Sequence, residues 1–276
     1  MKLPQFWYKC EEYATDIWDF TVCFSSKPDD SYKEWDGKDL IGVFEGFVMN
    51  NKLRSIPDTT SSFNMIHSSF KTYAQNRGTG FSLVKWKHHC MMAMLFYVWY
   101  GNTNSQAICG SGTSSSVKTT GTTNTLGMTD TIAGGNGDSN SINFWGLENW
   151  WGNKYEFVDN VTVKPSTNSD LLNITEDDGT VRQISIPSVE GYISKMMFGE
   201  NIDLIPKYYL GSSTTGFCDY HYDTDSANSD FLLVRSGSGN IVAGGISHTN
   251  VRVSNSYRSA DLGARIAFRG NIVIIS

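Results

Sequence analysis

Short apolar and aromatic runs such as "WDFTVCF" and "DLIGVFEGFVMNNKL" occupy the first sixty residues and predict strands. Asn50-Asn51 interrupts the second run where a hairpin would turn. The spacing then changes. Phe63, Ile66, Phe70, Tyr73 and Ala74 fall near helical spacing, Ser61 or Ser62 stands where a cap is needed, and Gly78 follows, so a helix is predicted over 63–75. A second helix is predicted over 85–100, "KWKHHCMMAMLFYVWY", which is apolar on most faces and stops at Gly101; such a helix belongs inside a domain. From Gly101 to Asn143 the chain turns to Gly, Ser, Thr and Asn and predicts a long irregular surface loop. Alternating runs return in "VTVKPSTNSDLLNITEDDGTVRQISIP", where Asp177-Asp178-Gly179 marks a second hairpin. The pattern is that of an α+β chain with mixed or antiparallel sheets, two helices and long irregular loops.

Length and charge narrow the function. The 276 residues suit one large domain, or a domain over 41–276 with a small strand-rich extension over 1–40. The formal charge of -6 and the lack of any basic run exclude a nucleic-acid-binding surface. No apolar run is long enough to insert into a membrane, and the N-terminus shows no secretory pattern, so synthesis in a cytoplasm is expected. Five cysteines, with no CxxC or Cys/His metal spacing, read as free thiols.

Candidate chemistry is sparse. His88 and His89 are helix neighbours that point about 100° apart and make a poor pair of metal ligands. "EDDGT" at 176–180 lacks the alternating oxygens of a calcium loop and is better read as a turn. The Ser, His and Asp residues of the last third have no GxSxG elbow, and "GSGTSSS" lacks the Lys of a phosphate loop. No metal or cofactor is expected. The block "FWGLENWWGNKYEFVDNV" at 144–161 reads either as buried framework, with glycines allowing close approach, or as a sugar-stacking platform.

The most informative feature is an absence. Residues 1–207 contain 44 Lys, Glu, Gln, Met or Trp, and residues 208–276 contain none. None of these five types has a codon ending in a pyrimidine. A bias toward pyrimidine-ending codons would leave this gap, and so would randomisation of template adenines in AAY codons.

The ordered motifs resemble a family. "NFWGLENWWGNKYEFVDN" followed by "LLVRSGSGNIVAGGISHTNVRVSNSYRSADLGARIAFRG" is similar to the C-type-lectin-like fold of the formylglycine-generating-enzyme branch, and the N-terminal two-thirds is similar to proteins of phages and prophages of gut bacteria. The matching positions are Trp151-Gly152-Asn153, Glu156-Phe157, Asp159, Arg235, Gly244-Gly245 and Gly263-Ala264-Arg265-Ile266. The branch includes the variable proteins of diversity-generating retroelements, among them phage tropism determinants. The resemblance therefore implies a C-type-lectin-like domain whose segment at about 208–270 is diversified, borne on a phage tail. It implies a fixed scaffold of Trp145, Trp150, Trp151, Gly152, Asn153, Glu156, Asp159, Arg235, Gly244, Gly245, Gly263 and Arg265. The partners implied are a bacterial cell-surface receptor, protein or glycan, and other virion proteins, with a homotrimer as a possible assembly. The catalytic members of the branch need a late pair of cysteines, and Cys218 has no partner in the last 69 residues.

The composition of the last third agrees with recognition. Tyr supplies contact area with few rotors, while Ser, Gly, Asn and Asp adapt their hydrogen bonds. "GFCDYHYDTDSANSD" at 216–230 and "HTNVRVSNSY" at 248–257 are of this kind and are expected to be recognition loops. The contact candidates are Phe217, Asp219, Tyr220, His221, Tyr222, Asn240, His248, Asn250, Arg252, Asn255 and Tyr257. The alternatives are an enzyme of the formylglycine-generating type, a structural virion component and a bacterial surface adhesin.

Overall fold

The computed structural model describes residues 1–113, 116–124, 141–166, 168–223, 230–237 and 243–270. β1 (Phe6–Ala14), β2 (Ile17–Cys23) and β3 (Lys33–Trp35) form an antiparallel sheet in the order β2-β1-β3. This extension does not have a core of its own. Leu3, Phe6 and Trp35 join the apolar cluster that also contains Trp86, Trp150 and Trp151.

β4 (Asp39–Ile41) leads into a hairpin of β5 (Gly46–Met49) and β6 (Lys52–Ser55). Asn50 and Asn51 have φ of 55° and 56°, the two left-handed residues of a type I′ turn, so the expected hairpin forms at the expected place. α1 covers His67–Gln75, four residues shorter at its start than the periodicity suggests. The serines expected to cap it are engaged elsewhere: the Ser61 hydroxyl donates to Glu45 at 3.0 Å, and the Ser62 hydroxyl accepts from the Val48 N–H at 2.8 Å. After β7 (Phe81–Leu83), α2 (Trp86–Tyr100) runs through the core, buried from Trp86 to Tyr97 except at Lys87. Gly101 ends it in the left-handed conformation, with φ of 56°. A third helix, α3 (Ser105–Cys109), lies where irregular loop was expected. Asn104 caps it by accepting from the Ala107 N–H at 2.9 Å, and buried Ser105 and Cys109 anchor it.

The aromatic block forms the short pair β8 (Asn143–Phe144) and β9 (Leu147–Glu148) and then enters the long strand β10 (Tyr155–Lys164). β11 (Ser169–Thr175) and β12 (Val181–Pro187) make the second expected hairpin, with Gly179 at φ 87° in its turn. β13 (Gly191–Tyr192), the pair β14 (Lys195–Met197) and β15 (Ile205–Tyr208), β16 (Tyr220–Tyr222), β17 (Phe231–Arg235), β18 (Thr249–Ser254), β19 (Leu262–Gly263) and β20 (Ile266–Arg269) complete the chain. The main sheet runs β12-β11-β10-β17-β18-β16-β13, with β19 beside β10. A smaller sheet, β4-β20-β7, ties the late strand β20 to two early ones. The architecture is α+β, with few helices and a mixed, curled main sheet. No helix among the described residues is long and apolar enough to cross a membrane.

Candidate recognition face

The outer end of the main sheet places the tyrosines. β16 lies between β13 and β18, with Tyr192 opposite Tyr220 and Tyr222 opposite Asn250. Alternation along β16 turns Tyr220 and Tyr222 toward one face and buries His221 between them. In β18 the same alternation buries Val251 and Val253 and leaves Arg252 exposed. The rings of Tyr192 and Tyr220 meet edge-on at 5.2 Å, and those of Tyr220 and Tyr222 lie 4.6 Å apart. The Arg252 guanidinium sits 4.4 Å above the Tyr222 ring and reaches Glu190 at 3.3 Å. The Tyr220 hydroxyl also donates to Glu190, at 3.5 Å. Burial raises both phenols, so they act as neutral donors around neutral pH. Beside this ridge is a cavity of about 270 Å³ lined by Tyr155, Asn250, Arg252, Tyr257 and Asp261. Tyr257 is 47% exposed, and Asn255 is exposed in the turn that follows β18.

The structure separates the expected contact residues into two sets. Tyr220, Tyr222, Arg252, Asn255 and Tyr257 reach the surface. Phe217, Asp219, His221, His248 and Asn250 are buried, which corrects their expected role as contact residues in this conformation. Alternation explains His221, which β16 turns inward between Tyr220 and Tyr222; Phe217, Asp219 and His248 lie just before β16 and β18 and are held inward by the contacts that follow, while Asn250 is covered although it shares the Arg252 side of β18. Phe217 packs on Tyr97 and Phe198 at 5.8 and 6.4 Å. Asp219 accepts from the Gly245 N–H, the Ser247 N–H and Gln106 Nε2, each at 2.8 Å, and so clamps α3 and the approach to β18 behind the face. Burial pushes its carboxyl up to about 7 in spite of these donors. His221 Nδ1 pairs with the Thr249 hydroxyl at 2.7 Å, and burial lowers its pKa to about 4. His248 lies between the rings of Tyr155 and Tyr222 at 5.5 and 5.7 Å, held well below its ordinary value by burial and by Arg235. Asn250 Oδ1 accepts from the Arg252 N–H at 3.0 Å. Asn240 lies outside the described residues.

Tyr192 and Glu190 were not anticipated. Both precede the compositional break at 208, and only the pairing of β13 with β16 brings them to the face.

Behind the face lies a dense framework. Arg265 is fully buried; it pairs with Glu156 at 2.9 Å and donates to the carbonyls of Gly42, Val43, Glu148 and Asn149 at 2.7–3.0 Å. Trp150 and Trp151 are buried, and Trp151 Nε1 donates to the Gly110 carbonyl at 2.9 Å. Trp145 is half-buried and stacks on Phe144 at 5.2 Å. At Gly152, with φ of 79°, a Cβ would lie 2.5 Å from the Gly112 Cα, so only glycine fits. Asn153 bridges buried Glu45 and the Lys118 N–H at 2.6 and 2.7 Å, and Asp159 pairs with Lys71 at 2.9 Å. Arg235 donates to the Ile246 carbonyl at 2.9 Å beneath the Gly244-Gly245 turn, where a Cβ on Gly245 would collide with Ser105 and Asp219. Gly263 sits on β19 against the Ser62 carbonyl, where a Cβ would be 3.2 Å away.

Among the described residues no group of three His, Cys, Asp or Glu is arranged to hold a metal ion. His88 turns toward Asp39, at 3.3 Å, while His89 lies against Trp150, with ring centroids 4.8 Å apart. No protein-family model matches the chain, and no curated protein matches it.

Proposed function

We propose that the chain is a non-enzymatic receptor-binding protein, a phage tail tropism determinant with a C-type-lectin-like scaffold and a diversified C-terminal segment. The observation that carries this reading is the ridge of Tyr192, Tyr220 and Tyr222 with Arg252, presented at the end of the main sheet over a buried polar framework. Aromatic and Arg side chains dominate binding energy at protein surfaces, and a rigid support limits the entropy lost on binding. The sheet that ties β20 to β4 and β7, and the two longer helices, are consistent with the lectin-like reading. The composition after residue 207 supports diversification. The partner would be a protein or glycan of the bacterial envelope, with weak individual sites strengthened by repetition on a virion, for which a trimer is one arrangement. The Cys218 side chain is buried and its thiol is raised by that burial, which disfavours the thiolate that an oxidase would require.

The test is adsorption of the purified protein to host cells. Replacing Tyr220 and Tyr222 together by Ala should abolish binding and leave the unfolding midpoint nearly unchanged, because both side chains stand on the outer face. Undiminished binding by the folded variant would refute the assignment.

A further inference from the structure

The cavity beside the tyrosine ridge is shaped by a bulge. Val234 of β17 faces Asn250 of β18, but Leu232 faces Val253, so three steps of β18 run against two of β17. An extra residue of this kind bends a strand and re-aims its side chains; here it brings Val253 to the same cavity as Asn250 and Arg252. Val234, Val253 and Leu262 give the cavity an apolar floor, and the turn between β18 and β19 gives it a rim. That rim is held from several sides. The Asp261 carbonyl accepts from the Tyr155 N–H at 2.8 Å, the Ala260 carbonyl from Lys154 Nζ at 2.7 Å, and the Ser259 carbonyl from the Asn64 N–H at 2.9 Å. The space of about 270 Å³ is thus built into the scaffold, and it suits one small group better than a drug-sized ligand.

The polar groups around it set the chemistry of the occupant. Asn250 is 8% exposed, and its Oδ1 is taken by the Arg252 N–H. Its amide nitrogen donates to nothing among the described residues and is not sealed off; the cavity is where it stays open. Asn250 is therefore withdrawn from a flat partner laid on the face and still within reach of a small group seated in the cavity. At the rim, Asp261 Oδ1 accepts from the Ser259 hydroxyl, which leaves Oδ2 without a donor among the described residues. An anion would meet this carboxylate, while Arg252 is already engaged by Glu190 and the Tyr222 ring. A cation would meet the Arg252 guanidinium. An aliphatic or aromatic side chain would fill the floor but leave the Asn250 amide stripped of water and without an acceptor, a costly state. A pyranose answers every group: adjacent hydroxyls accept from the amide and donate to the carboxylate, and the C–H face of the ring lies on the apolar floor and the exposed Tyr257 ring.

We propose that this cavity receives one neutral pyranose unit of an envelope glycan, with the Asn250 amide donating and the Asp261 carboxylate accepting. The inference rests on the receptor-binding reading and narrows its partner from protein or glycan to glycan. Ligand-observed NMR titration of the full chain tests it. The probes are the methyl glycosides of D-glucose, D-galactose, D-mannose, L-rhamnose and N-acetylglucosamine, with N-acetyltyrosinamide standing in for a protein side chain and glucuronate and glucosamine as charged controls. Saturable binding of at least one neutral glycoside is expected. Asn250→Asp keeps the acceptor for the Arg252 N–H and removes the amide donor, and should weaken that binding about three- to tenfold, the effect of one neutral hydrogen bond. Asp261→Asn keeps an oxygen for Ser259 and should weaken it about tenfold, since the bond lost is to a charged group. No saturable binding of any neutral glycoside, binding of N-acetyltyrosinamide or a charged control alone, or glycoside binding unchanged in both variants would overturn the proposal. Host adsorption separates this failure from failure of the receptor-binding reading. If no glycoside binds the parent while Tyr220→Ala with Tyr222→Ala still abolishes adsorption, the glycan assignment falls and receptor binding stands.

Discussion

Arg265 illustrates how one residue can hold distant parts of the chain together. Its fully buried guanidinium satisfies four carbonyls, those of Gly42 and Val43 after β4 and those of Glu148 and Asn149 at the end of β9, as well as the Glu156 carboxylate. Lysine keeps the charge but has one nitrogen in place of a planar fork, so it cannot serve all these acceptors. Arg265→Lys should therefore cost about 3 kcal/mol, the scale of breaking a buried ion pair. Denaturant titration measures it, and a loss below about 1 kcal/mol, the level of a surface pair, would contradict the role. The motif that carries the family resemblance pointed to this residue, and to Glu156, without indicating that they pair; residues 109 apart in sequence meet only through the fold. The same limit explains the contact candidates. Composition selected Tyr220 and Tyr222 together with His221, but it carries no information about which side of a strand each occupies. Glu190 and Tyr192 were invisible because nothing in their own neighbourhood distinguishes them from other polar or aromatic residues.

At the scale of elements, legibility followed the strength of local signals. The type I′ hairpin at Asn50-Asn51 and the hairpin around Gly179 were readable because their residues tolerate positive φ, which few others do. α2 was readable because a run apolar on nearly every face has to be buried. The start of α1 was not, since tertiary partners take the side chains of Ser61 and Ser62 away from capping. α3 was missed because five residues are too few to show periodicity. β16 was read as loop because its three residues gain their strand character from β13 and β18 on either side. The hairpin offers a quantitative check. Asn50→Ala with Asn51→Ala forces two alanines into the left-handed region and should destabilise the protein by about 2 kcal/mol, whereas Asn51→Gly should be neutral or stabilising. Equal unfolding midpoints for the double variant and the parent would show that the turn does not hold the backbone in this conformation.

At the scale of the whole molecule, the buried carboxyls make stability depend on pH in a way that the net charge does not reveal. Glu45 is fully enclosed beside Glu156, and burial followed by that neighbouring charge raises it to about 8. Asp219 and Asp170 are raised to about 7, in both cases chiefly by burial. Each of these groups binds its proton more tightly in the folded chain than in the unfolded one. Their stabilising contribution is therefore complete below the ordinary carboxylate range and is lost progressively as pH rises from there to about 7 to 8, at up to about 1.4 kcal/mol per pH unit for each group. Asp177 works in the opposite sense: its bonds to Lys85 and Lys87 outweigh burial and lower it to about 2, so its contribution is lost as pH falls toward that value. Lys154, lowered by burial to about 8, restores part of the loss above that pH, because there the unfolded chain binds more protons. Maximum stability should accordingly lie well on the acid side of neutrality, at about pH 4 to 5, where Asp177 is already ionised and the raised carboxyls still hold their protons. Glu45→Gln keeps an acceptor for Ser61 and Asn153 and removes the ionisation, so it should flatten the decline between about pH 4.5 and 8. Denaturant titrations of both proteins across this range decide the matter: parallel profiles would show that Glu45 does not drive the decline, and a maximum above pH 7 would mean that the buried carboxyls do not govern the pH dependence.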